Sequence, residues 1–256
     1  MRVLVIENYI GTTLGQVGVA LREAGIEMDI RHMWQGAAVP QSPDGYDGLV
    51  VLGGEQSALD DAEHPYLPQV AALTRSFGQS DKAVLGICLG AQLVARGHGA
   101  TNILDRPIEF GWHEVRPTEA GRRDPLLAAL GEGAPQFHWH LDTFTLPPGA
   151  THLATSAMTE IQAFRIGRAV YGIQFHCEAD QQLVRRWNRD FAEVIANSTP
   201  DWPERFPREA ARNGPRADTT GLALARAWVK LVGRESHARK TKVQGQEPLG
   251  LSSEGE

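Results

Sequence analysis

The stretch Lys82–Gly99, KAVLGICLGAQLVARGHG, decides how the chain is read. Ala83-Val84-Leu85 is a short apolar run of the kind buried in a sheet, and a helical pattern starts at Leu89. Between them Gly86 and Gly90 flank Cys88, two residues away on each side. A strand that turns directly into a helix needs small residues beside the turn, because side chains there collide with the neighbouring strand and helix. The central residue is forced into a strained backbone conformation and raised to the carboxyl edge of the sheet, where open parallel sheets bind ligands. A thiol at that place lies near a helix N-terminus, whose dipole favours thiolate. The N–H of Leu89, the next residue, is placed to meet a developing oxyanion. The same pattern also suits a buried structural cysteine between packing glycines.

Working outward, strand-like and helix-like patterns alternate through the first half. Arg2–Ile6, Glu27–Arg31 and Gly48–Leu52 read as strands; Thr13–Ala24 and Tyr66–Phe77 read as helices. Alternation of this kind predicts an α/β fold with a mostly parallel central sheet and helices on both faces. From about Thr101 strand candidates follow one another at Ile108–Val115, Gln136–Trp139, His152–Ser156, Ile161–Arg165 and Ala169–Phe175, with only Asp124–Leu130 helical. They predict a smaller antiparallel extension. A helix is expected over Asp180–Ala196, an irregular connector over Pro200–Asn213, a second helix over Thr219–Val232 and a disordered tail over 236–256. The domain limits are accordingly 1–198 for the main domain and 199–235 for the connector and packed helix.

Composition narrows the function classes. The 256 residues carry a net charge of -6, whereas nucleic-acid binders usually carry a basic domain. No apolar run reaches membrane-span length, and MRVLVIENYIG lacks the apolar stretch of a signal peptide. Two cysteines do not make a disulfide framework, so a reduced, cytoplasmic setting is expected. Oligomeric state is left open.

A thiol nucleophile needs a base, and the base an orienting acceptor. YGIQFHCEAD, Tyr171–Asp180, offers His176 and Glu178. In an extended strand these alternate residues share a face, and Cys177 points elsewhere as a small apolar filler. Two polar residues also commonly cap a strand end. VVLGGEQSA adds Gly53-Gly54 at a strand's carboxyl end, where a Gly54 N–H makes a second oxyanion donor. His138 and His140 in HWH share a strand face, but no third ligand stands out, so no metal is expected. The six tryptophans are read as packing.

GICLGAQ, GIQFHCE and VVLGGEQS, in this chain order, resemble the class I, or triad, glutamine amidotransferases over about Arg2–Ala196. EFGWHEV, FHWHLDTFTLPPGATHLATSA and QAFRIG are similar to the stand-alone branch related to the glutamine domain of GMP synthase. The resemblance implies a flavodoxin-like sheet and a Cys88–His176–Glu178 triad that opens the γ-carboxamide of glutamine through a γ-glutamyl thioester. It implies an oxyanion hole from the N–H groups of Gly54 and Leu89, a substrate contact from Gln92, and a substrate-facing loop at His140, Leu141 and Asp142. No cofactor is implied. The family usually has proline between the histidine and the acid, where this chain has Cys177; the proline stiffens the turn and takes no part in the reaction. No G-x-x-x-x-G-K-[ST] motif appears, so an ammonia-accepting synthetase, if there is one, is expected on a partner. A free-standing hydrolase of γ-glutamyl amides or peptides, an inactive binding or regulatory homologue and a DJ-1-like cysteine protein are the competing readings. Intact Cys88, His176 and Glu178 argue against the inactive one, and Gln92 with the late H-x-E argues against the last.

Overall fold

The computed structural model describes residues 1–233; the tail expected at 236–256 lies outside them. The first half runs β1 (Arg2–Glu7), α1 (Gly15–Glu23), β2 (Glu27–His32), β3 (Gly48–Val51), α2 (Leu67–Gln79), β4 (Ala83–Ile87) and α3 (Leu89–Gly97). The second half runs β5 (Asn102–Ile103), β6 (Glu109–Pro117), α4 (Glu119–Arg122), β7 (Ala134–His140), β8 (Thr143–Phe144), β9 (Thr151–Thr155), β10 (Ala163–Ile166) and β11 (Val170–Ile173). Three helices close the described chain: α5 (Gln181–Asp190), α6 (Ala192–Ser198) and α7 (Trp202–Val232).

The main sheet has the order β2-β1-β3-β4-β11-β10-β9-β6-β7. Strands β2, β1, β3, β4 and β11 pair in parallel, and β11 through β7 pair antiparallel, which is the expected extension. Strands β5 and β8 form a separate pair.

Alternation along each central strand divides the apolar residues between the two faces. Val3, Val5, Val50, Leu85 and Ile87 pack with Val17 and Leu21 of α1 and Leu224 and Trp228 of α7. Leu4, Ile6, Leu49, Val51 and Val84 pack with Val70 and Phe77 of α2 and Leu93 and Val94 of α3. A third cluster, Phe110, Trp112, Phe137, Trp187 and Trp202, seals the extension against α5 and α7. Four of the six tryptophans are buried packing residues, as read from the sequence.

Three local expectations are corrected. Pro200–Asn213 is not an irregular connector: α7 is continuous and carries Pro207 and Pro215 inside it. Each proline removes one helical N–H, but the helix is held by tertiary packing. Trp202 and Trp228 are fully buried towards its ends, and Asp218 accepts from Gln181 (3.0 and 2.9 Å). The helix expected over Asp180–Ala196 is two helices broken at Phe191, whose ring turns in against Trp139 (5.7 Å) and Tyr9 (5.8 Å). Within Asp124–Leu130 only a single short turn forms at Leu127–Leu130. The buried Asp124 carboxylate instead accepts from the Leu126 and Leu127 N–H groups, Arg165 and Tyr171.

Pro207 is exposed and mid-helix. Pro207→Ala is therefore expected to raise the unfolding free energy by about 1–3 kcal/mol in urea titration, since it restores a helical N–H. An irregular segment would instead lose stability, through a freer unfolded chain.

Candidate active site

Strand β4 enters the turn and α3 leaves it, with Cys88 between them at φ 53° and ψ -112°. A non-glycine residue at positive φ is costly and persists only where its surroundings enforce it. The enforcing contacts are backbone ones. A Cβ on Gly90 would strike the Val51 carbonyl of β3, and a Cβ on Gly86 would strike the Gly90 carbonyl. The Cys88 N–H donates to Ile173 O of β11 (2.9 Å), and its carbonyl accepts the first helical bond from Gln92 (3.1 Å). The thiol is 6% exposed, more enclosed than the exposed turn the sequence suggests.

The base arrives on a turn. Strand β11 ends at Ile173, and His176 pairs across to Phe137 of β7, donating its N–H to that carbonyl (2.8 Å). His176 Nδ1 lies 2.7 Å from Glu178 Oε1, and the ring sits edge-on to Trp187 at 5.1 Å. Cys177, between them, is buried in the α1/α7-face core with its thiol pushed well up by burial, away from reactivity. Burial alone would lower the pKa of His176; the Glu178 carboxylate and Cys88 overcome that and raise it to about 10.

The glycine turn after β3 closes over the pair. A Cβ on Gly53 would stand 3.3 Å from His176 Cε1 and 3.6 Å from Cys88 Cβ, and one on Gly54 2.9 Å from Leu89 Cδ2. Leu89 opens α3, so its N–H is among the first-turn donors with no partner inside the helix. Gln92 is buried and donates from Nε2 to Asp142 O (3.2 Å). His140 Nδ1 meets the same carbonyl (3.1 Å), while Leu141 is 49% exposed. The Asp142 carboxylate accepts from the Asp105 N–H (3.1 Å), and burial raises its pKa. Cys88, His176, Glu178, Gly54, Leu89, Gln92, His140 and Asp142 thus converge on one region at the carboxyl edge of the sheet.

Two features were not read from the sequence. The Trp139 carbonyl accepts from Cys88 Sγ (3.7 Å), which brings β7 onto the nucleophile. Glu109 joins His138 and His140, so that one ligand-type atom from each lies within 4.8 Å of the others. This is the third group that HWH alone did not reveal. The Glu109 oxygens already accept from Ser156 (2.6 Å) and Gln162 (2.9 Å), so the cluster is organised as a hydrogen-bond network and not as an open ligand set. Burial would raise the Glu109 pKa; His140 and Ser156 reverse this and bring it down to about 2. Burial pushes His138 well down, so its ring is neutral.

The class-I glutamine amidotransferase profile matches residues 4–191. The chain belongs to that family. It is 36% identical over 179 residues to the glutamine amidotransferase-like protein YfeJ of Salmonella typhimurium, covering 67% of this chain and 75% of that protein. It is 29% identical over 202 residues to a separate subunit of the glutamine-hydrolysing GMP synthase of Thermoplasma volcanium, covering 76% and 92%. Among solved structures, a glutamine amidotransferase of Thermotoga maritima superposes with a TM-score of 0.80 at 27% identity, covering 91% of this chain and 99% of that one. One from Methylobacillus flagellatus gives 0.79 at 28%, covering 92% and 97%. Family and fold agree with the resemblance read from the three motifs, and membership supports glutamine hydrolysis at a coarse level. Among the described residues no helix is long and apolar enough to cross a membrane.

The His176–Glu178 pair has a pH signature. A ring raised to about 10 keeps its proton through neutral pH, so the alkaline fall of kcat/KM belongs to its deprotonation. Glu178→Gln removes the charge that favours the protonated ring, and the fall is expected to move to lower pH relative to wild type. An alkaline limb unchanged in Glu178→Gln would show that Glu178 does not set the charge of His176.

Proposed function

We propose that the chain is a glutaminase that hydrolyses the γ-carboxamide of glutamine and releases ammonia for a separate synthetase. The observation that carries this is the strained elbow thiol of Cys88 beside a histidine that Glu178 holds at 2.7 Å. Cys88 gives its proton to His176, and Sγ attacks the carboxamide carbon. The C–S bond forms as the carbonyl π pair moves to oxygen, and the N–H groups of Gly54 and Leu89 receive that oxyanion. As the carbonyl re-forms, the C–N bond breaks and the His176 imidazolium gives its proton to the departing ammonia. Water then attacks the γ-glutamyl thioester and gives a proton to His176. The C–S bond breaks, glutamate leaves and the thiol is regenerated. Glu178 holds the ring so that one nitrogen faces Cys88 throughout. Gln92, His140, Leu141 and Asp142 form the substrate side.

Service to a separate synthetase is supported by the match to the Thermoplasma volcanium GMP synthase subunit, which extends over 92% of that protein's length. The substrate partner is glutamine, the second partner an ammonia-accepting enzyme, and no cofactor takes part in any step.

The test is ammonia release from glutamine by the purified chain, beside a panel of γ-glutamyl amides. Wild type is expected to release ammonia and glutamate in equal amounts. Cys88→Ala is expected to lose activity by roughly 10⁴-fold or more while unfolding at a similar urea concentration, and His176→Ala to lose nearly as much, because nucleophile and base act as a unit. Turnover of γ-glutamyl amides without turnover of glutamine would replace this reading by the free-standing hydrolase. A Cys88→Ala protein as active as wild type would overturn both.

A further inference from the structure

The network around Glu109 is more than a buried charge made comfortable. Glu109 of β6 stands directly opposite His140 of β7 in the sheet register. Its carboxylate is 1% exposed, with Ser156 Oγ donating to Oε1 and Gln162 Nε2 to Oε2. His140 Nε2 lies 3.1 Å from Oε2, and the other ring nitrogen, Nδ1, lies 3.1 Å from Asp142 O. A carbonyl oxygen only accepts, and so does an ionised carboxylate. A ring between two acceptors satisfies both only by presenting an N–H to each. The negative charge of Glu109 balances that form of the ring inside a buried site.

The consequence reaches the candidate active site. Asp142 O is also the acceptor for Gln92, one turn beyond Cys88 on α3. The main chain at 142 is thus gripped from α3 by Gln92 and from β6 by Glu109 through His140. Three residues earlier on the same run, the Trp139 carbonyl meets Cys88 Sγ. The segment 139–142 therefore has its position set relative to the nucleophile at both ends.

We propose that Glu109 is a positioning residue of the reaction: acting through His140, it holds the 139–142 main chain at the depth where Gln92 and Cys88 meet the substrate. For its kinetic readout this rests on the glutamine chemistry proposed above. Ser156 and Gln162, arriving from the β9–β10 side, hold the carboxylate in turn. Glu109 itself touches neither Cys88 nor His176 among the described hydrogen bonds.

The experiment is Glu109→Gln, which keeps the size of the side chain and removes its charge. The KM for glutamine is expected to rise roughly tenfold, the scale of one hydrogen bond to a charged group. The kcat is expected to stay within about threefold of wild type, because the group acts on substrate placement and not on the bond-breaking step. Alkylation of Cys88 by iodoacetamide is expected at the wild-type rate, which a collapsed site would not show. In a His140→Asn background, Glu109→Gln is expected to add nothing, since two residues acting in series are not additive.

Three results overturn the assignment: an unchanged KM, fully additive effects in the double variant, or alkylation and turnover falling together. Should Glu109→Gln fail to fold, Ser156→Ala loosens the same carboxylate and leaves its charge. A smaller rise in KM there supports the assignment, and an unchanged KM reduces Glu109 to a structural role. A wild-type protein inert both to glutamine and to the glutamine analogue 6-diazo-5-oxo-L-norleucine contradicts the proposed function itself, whereas an active wild type matched by Glu109→Gln contradicts only the role of Glu109.

Discussion

The close approach of two backbones at Gly90 is the constraint from which the rest follows. Helix α3 lies so near β3 that a single methyl group on Gly90 would meet the Val51 carbonyl, and Gly86 is crowded in turn by Gly90. With no room to either side, the chain turns at one residue, and Cys88 takes a φ of 53°. A strained residue of this kind costs on the order of 1–3 kcal/mol, and the parallel strands β3, β4 and β11 packed around it absorb that cost. The return is position: the thiol stands at the end of β4 and the start of α3, beside the glycine turn of β3 and the His176 turn beyond β11. A looser packing of α3 on β3 would leave a cysteine in the same sequence without the same surroundings.

Two histidine–carboxylate pairs flank β7, and their roles diverge through what lies on the far side of each ring. His176 has Glu178 on one side and Cys88 near it, so its proton is at the disposal of the thiol chemistry. His140 has Glu109 on one side and a main-chain carbonyl on the other, so its protons are committed to structure. Both carboxylates are buried, where an unpaired charge would be very unfavourable, and each is answered by its ring. Strand β7 serves both: its Phe137 carbonyl receives the His176 N–H, and its Trp139 carbonyl meets the Cys88 thiol.

What was legible in the sequence was what short-range geometry decides. The Gly86-Ile87-Cys88-Leu89-Gly90 turn is specified by its own glycines, so its reading needed no tertiary information. His176 and Glu178 are close in sequence and share a side even though β11 has already ended at Ile173. Glu109 was not legible, because its meaning depends on a strand register that sets it against His140. An isolated glutamate in EFGWHEV looks like any surface charge until β6 and β7 are paired. Helix α7 was misread for the opposite reason. Its prolines are strong local signals against helix, and they are outweighed by the burial of Trp202 and Trp228, which no local pattern announces.

The central claim is that Cys88 forms a covalent bond to the γ-glutamyl group. Rapid acid quench of the protein during turnover of glutamine, followed by intact mass measurement and peptide mapping, tests it directly. The account predicts a mass gain of one γ-glutamyl group on the peptide containing Cys88, absent from Cys88→Ala and lost on exposure to hydroxylamine. Turnover with Cys88 unmodified at every quench time in wild type and in slowed Glu178→Gln, or an adduct mapped to Cys177, would contradict it.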